Sequence, residues 1–187
     1  MASVSALAAA ACFTLGMYVL RRNHHLSSSR VFFIVAMLAT MTALFDLLTL
    51  TSPNATVAEF FARGMVIIST LLAASMLYLS SIMPFERQGS RAVRHRWGLA
   101  AAAVMLGVAL ASNGLEVAED QFGWWLLSNT TALIWYALLV LFFLTGTIIL
   151  VQAHRRESSV RGRRRLLPLI AGMLIPAFSP VLVIPTA

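Results

Sequence analysis

The chain alternates between long apolar runs and short polar stretches. Apolar segments lie at about 3–21, 31–51, 57–84, 97–113, 123–152 and 166–186. Each comes near the roughly 20 residues that a helix needs to cross a bilayer. The pattern predicts an all-α, polytopic transmembrane helix bundle of six spans, a single integral membrane domain over residues 1–187. The third and fifth segments exceed a minimal span, so they tilt or extend beyond the hydrocarbon. Pro84 closes the third, because the residue before a proline is biased away from helix. The sixth carries Pro168, Pro176, Pro180 and Pro185. Pro168 fits a first helical turn, whereas Pro176 and Pro180 fall mid-span and predict a kink. No internal repeat or low-complexity tract interrupts the pattern.

The polar stretches set the orientation. Arg21, Arg22 and Arg30 lie between segments one and two, and Arg87, Arg91, Arg94 and Arg96 between three and four. Arg155, Arg156, Arg161, Arg163, Arg164 and Arg165 mark the join of five and six. These three regions fall on one side and hold every Arg except Arg63. The connection between four and five holds Glu116, Glu119 and Asp120 instead. The positive-inside rule makes the Arg-bearing loops cytoplasmic and the N-terminus outside, in a multi-pass plasma or inner membrane protein. Residues 2–20 have no basic leader and are followed by Arg21-Arg22, the reverse of a cleaved signal peptide. The first segment therefore reads as an uncleaved helix. Trp124 and Trp125, after Phe122-Gly123, are placed as an aromatic belt opening the fifth helix.

Composition agrees. Hydrophobic residues make up 59% of the 187 and charged residues only 11%, against about 25% charged in soluble domains. The net charge of +7 is concentrated at segment ends, where Arg meets anionic lipid headgroups. The partner it implies is the lipid bilayer, not nucleic acid. Cys12 is the one cysteine; it excludes an internal disulfide and reads as a small apolar residue.

Asp46 and Arg63 are the two charged residues that fall clearly inside apolar segments, away from their ends. Counting about 1.5 Å per residue from the turn Thr51-Ser52-Pro53-Asn54-Ala55-Thr56 puts them roughly 8 and 10 Å down neighbouring helices. Thr42, Asp46 and Thr49 share a helix face, and Asn129 on the fifth segment reaches a similar depth. An ionisable group inside a span is a functional-site hypothesis by default. Three readings follow: a polar ligand-binding layer of Asp46, Arg63, Asn129, Thr42 and Thr49 that takes a small ligand or senses pH or ions; an Asp46–Arg63 ion pair clasping two helices; or Arg63 paired with Glu59 one turn away and snorkelling outward. His24, His25, His95 and His154 fall in or beside the Arg-bearing loops and read as solvated, so no metal or cofactor is expected. No nucleophile elbow, metalloprotease helix or phosphate loop is present, and no enzymatic activity is expected.

The order of landmarks resembles the seven-helix N-terminal membrane region of prokaryotic sensor histidine kinases and related signalling proteins. The matching features are Arg21-Arg22 after helix one, the long third helix ending at Met83-Pro84-Phe85, Phe122-Gly123-Trp124-Trp125, and Arg163-Arg164-Arg165 before a proline-containing sixth helix. The resemblance implies a sensor or receptor-type module for transmembrane signal transduction, with output carried by a cytoplasmic domain. It brings no shared ligand residues. The chain departs from it at Ala187, where a seventh helix and an output domain are expected. That leaves either a fragment or a stand-alone relative. The alternative function is an accessory or structural subunit of a larger membrane complex or homo-oligomer, and the third a small transporter or channel subunit.

The topology predicts that a cysteine placed at Ala118 reacts with an impermeant thiol reagent from outside in intact cells, and one at Ala92 only from inside. The reverse labelling contradicts it.

Overall fold

In the computed structural model the described residues are 2–22, 24, 27–82, 91–112, 115–120, 123–126, 130–156, 167 and 170–171. Among them are five helices and one short hairpin: α1 (Ala2–Arg22), α2 (Ser27–Leu50), α3 (Ala55–Ile82), α4 (Arg91–Ser112), β1 (Val117–Asp120), β2 (Gly123–Leu126) and α5 (Thr130–Arg156). Four of the helices, α1, α2, α3 and α5, are long and apolar enough to cross a membrane. That is the make-up of a multi-pass membrane protein. In α4 the apolar stretch Leu99–Ala111 is shorter, because the helix begins among Arg91, Arg94, His95 and Arg96. Of the expected sixth span, only Leu167, Ile170 and Ala171 lie within the described residues.

Contacts between helices fix their directions. Ser5 meets Asp46 and Ala9 meets Thr40, so α1 and α2 run antiparallel. The Phe45 ring stands edge-on to Phe61, with centroids 5.9 Å apart, so α2 and α3 are antiparallel too. Val66 packs with Trp135, and Ala73 with Phe143, making α3 and α5 parallel, while Ala111 beside Val66 sets α4 against both. The C-terminal ends of α1, α3 and α5 therefore share one end of the bundle. Arg21 and Arg22 close α1 there, and His154, Arg155 and Arg156 close α5. The α2–α3 turn and the hairpin occupy the other end.

α3 is the hub. It packs against α2, α4, α5 and both strands, whereas α1 leans on α2. Its buried positions Ala58, Ala62, Val66, Thr70, Ala73, Leu77 and Ser80 recur every three or four residues, and Ala58, Ala62 and Val66 are fully enclosed. Within lipid, apolar burial does not drive helices together, so association rests on close approach, and small residues permit it. Gly16 meets Ala36 so closely that an added Cβ would stand 2.7 Å from the alanine Cβ. On α4, a Cβ at Gly107 would lie 2.6 Å from Thr70 Oγ1 and 3.0 Å from Thr70 Cβ.

The hairpin departs from the sequence expectation, which had the fifth helix opening at Gly123. Instead Gly123-Trp124-Trp125-Leu126 pairs antiparallel with Val117-Ala118-Glu119-Asp120, Glu119 opposite Trp124 and Asp120 opposite Gly123. Aromatic residues favour the half-buried surface of a strand, and the helix starts only at Thr130. Trp124 does face a helix end, donating from Nε1 to the carbonyl of Ser52 at 3.0 Å. It thereby ties the hairpin to the α2–α3 turn.

Gly107→Ala gains roughly 1 kcal/mol of helix propensity. It also drives a methyl into the buried, hydrogen-bonded Thr70, an overpacking that costs about 1–3 kcal/mol. The expected outcome is a net loss of stability in detergent-micelle unfolding, where an exposed Gly→Ala exchange would give a gain.

Candidate functional site

The hydroxyls of the predicted polar layer look inward to their own helix. Thr42 Oγ1 donates to the Leu38 carbonyl at 2.9 Å and Thr49 Oγ1 to the Phe45 carbonyl at 2.8 Å. A helical Ser or Thr in apolar surroundings commonly satisfies its proton on the i−4 carbonyl. Thr40, Ser69, Thr70 and Thr147 bond back to a carbonyl three or four residues earlier as well. Asn129, the fifth member of the layer, lies outside the described residues.

The expected Asp46–Arg63 ion pair does not form. Phe45 packs against Gly64, so the two charged residues come level as counted, but they face different ways. Successive helical residues point about 100° apart; with Phe45 turned to α3, Asp46 looks toward α1. There Ser5 Oγ donates to Asp46 Oδ2 at 2.6 Å. Arg63 pairs with Glu59 one turn earlier on α3, at 3.6 Å, with the two side chains 46% and 39% exposed. Such an exposed i, i+4 pair is worth about 0.3–0.5 kcal/mol. Its reach back toward the helix start is the snorkelling arrangement.

Asp46 is thus held by a neutral donor. Tyr136 on α5 is near enough to feel its charge. The partly buried carboxylate therefore stands between α1 and α2, in the last turns of α2. Among the described residues no three of His, Cys, Asp and Glu gather as a metal-binding group. One carboxylate with a serine hydroxyl and a phenol nearby can hold a proton or a single small cation.

Sequence reasoning missed Ser5, Tyr136 and the hairpin. Ser5 was accessible by counting, since it lies seventeen residues before Arg22 while Asp46 lies sixteen after Arg30, which puts both at one depth on adjoining helices. Tyr136 gave no such signal, because its position depends on where α5 packs. The histidines need one correction. His24 is exposed as expected, but His154 belongs to the last turn of α5, and its Nδ1 is buried without a hydrogen-bond partner. His25 and the side chain of His95 lie outside the described residues.

A cavity of about 10 Å³ lies deeper in the bundle, lined by Thr70, Ala73, Ala103, Gly107, Trp135 and Phe142 among others. That is room for at most one water, so it is a packing gap rather than a ligand pocket. Compared with models of known protein families, with curated proteins and with solved structures, the chain matches none.

Proposed function

We propose that this chain is a non-catalytic membrane sensor module, in which Asp46 is the responding group. The observation that carries the reading is the carboxylate within the apolar helix α2, held by the Ser5 hydroxyl rather than neutralised by an arginine. Intramembrane ionisable residues are costly and mark function by default. Here a proton or a small cation reaching Asp46 would remove the charge that organises Ser5 on α1 and that Tyr136 on α5 feels. The resemblance of the chain's landmarks to the membrane regions of sensor kinases supports the same reading. In the topology that goes with it, six spans place the N-terminus, the hairpin and the α2–α3 turn outside. The arginine-bearing end is then cytoplasmic, supported by Arg21, Arg22, Arg155 and Arg156 closing α1 and α5 at one end.

The alternative is an accessory subunit of a larger membrane assembly, and one observation favours it. α1 leans on α2 and exposes Val4, Leu7, Leu15 and Tyr18, one helix face that another subunit would cover in place of lipid.

Intrinsic tryptophan fluorescence tests the sensor reading, because Trp135 is adjacent to Tyr136 in the chain and their ring centroids lie 4.7 Å apart. In nanodiscs, acidification or a small amine is expected to shift the emission of the wild-type protein and not that of Asp46→Asn. A wild-type spectrum indifferent to both, or a response unchanged in Asp46→Asn, contradicts the assignment.

A further inference from the structure

We propose that the hydrogen bond from Trp135 to Thr70 is a latch that holds α5, and the basic turn at its end, in one axial register against α3, and that its release is the conformational change this module offers. Trp135 Nε1 donates to Thr70 Oγ1 at 3.2 Å, and Thr70 donates its own proton to the Val66 carbonyl at 2.7 Å. Both side chains are buried. An indole N–H can only donate, so in an apolar interior it needs an acceptor.

The acceptor is unique along that face of α3. One turn in either direction the positions are Val66, Ile67, Ala73 and Ala74, none of which accepts a hydrogen bond through its side chain. An axial slip of α5 by one turn therefore leaves the Trp135 N–H without a side-chain acceptor on that face. Further along the same interface the packing through Ala73, Phe143, Met76 and Leu150 is apolar, and dispersion discriminates weakly between registers. Gly107 fits α4 over the same threonine, so one hydroxyl indexes three helices.

The surroundings leave slack for release. The cavity of about 10 Å³ touches both latch residues, and α4 meets α5 only lightly compared with the contact each makes with α3. Tyr136 follows Trp135, and their ring centroids lie 4.7 Å apart at a 47° tilt. From the latch α5 runs on unbroken to His154, Arg155 and Arg156. The latch does not depend on what Asp46 senses.

Disulfide crosslinking in nanodiscs tests it, in a Cys12→Ala background. Ala73→Cys with Phe143→Cys reports the latched register, and Ala73→Cys with Thr147→Cys reports a shift of one turn. With Thr70 present the first pair should dominate. Thr70→Val keeps the shape and removes the acceptor, and the ratio of first to second pair should fall by about fivefold, as loss of one interhelical hydrogen bond in a membrane protein implies. Trp135→Phe removes the donor and should give the same fall. An unchanged ratio in either variant that still inserts and folds overturns the latch.

Discussion

Close approach of helices at small residues is the constraint on which the rest of the structure depends. A bilayer offers no gain for moving a leucine from lipid into the protein, so shape complementarity and a few hydrogen bonds hold the bundle. α3 meets that constraint with Ala58, Ala62 and Ala73 on its buried side and receives a glycine of α4 at Thr70. The α1–α2 pair uses the same device at Gly16 and Ala36. Large side chains such as Leu77, Phe143 and Leu150 are buried as well, and two ring pairs form, Phe45 with Phe61 and Trp135 with Tyr136.

Polar groups within this frame divide into two kinds. Most hydroxyls return to a carbonyl of their own helix and add nothing between helices. Those that reach a neighbour are few, and each marks a boundary. Among the described residues, Ser5 with Asp46 and Thr40 with the Ala9 carbonyl join α1 to α2, Trp135 and Thr70 join α5 to α3, and Trp124 joins the hairpin to the α2–α3 turn. Tyr136, next to Trp135 in the chain, is near enough to Asp46 to feel its charge. A change of charge at Asp46 would thus act at the seat of α1 and on the residue next to the α5 latch.

How much of this the sequence discloses depends on the range of the physics involved. The first three helices follow from run length, which is a local property. The equal depth of Asp46 and Arg63 also follows by counting. Which way each side chain faces does not, because rotation about the helix axis is set by packing, here Phe45 against Gly64. The third reading weighed for Arg63, a pair with Glu59, describes its geometry. The hairpin was hidden because Gly123-Trp124-Trp125-Leu126 fits an aromatic belt as readily as a strand. Only its pairing with Val117–Asp120 separates the two. The long-range bond of Trp135 to Thr70 spans sixty-five residues of chain, and no local pattern announces it.

The central claim is that Asp46 is tied to α1 rather than neutralised by Arg63, and double-mutant cycles measure it directly. Unfolding free energies in bicelles for Asp46→Ala, Ser5→Ala and Arg63→Gln, singly and in pairs, give the two coupling energies. The account predicts a coupling of about 0.5–1.7 kcal/mol between Asp46 and Ser5, the range of interhelical hydrogen bonds in membrane proteins, and none between Asp46 and Arg63. A strong Asp46–Arg63 coupling with none to Ser5 would contradict it.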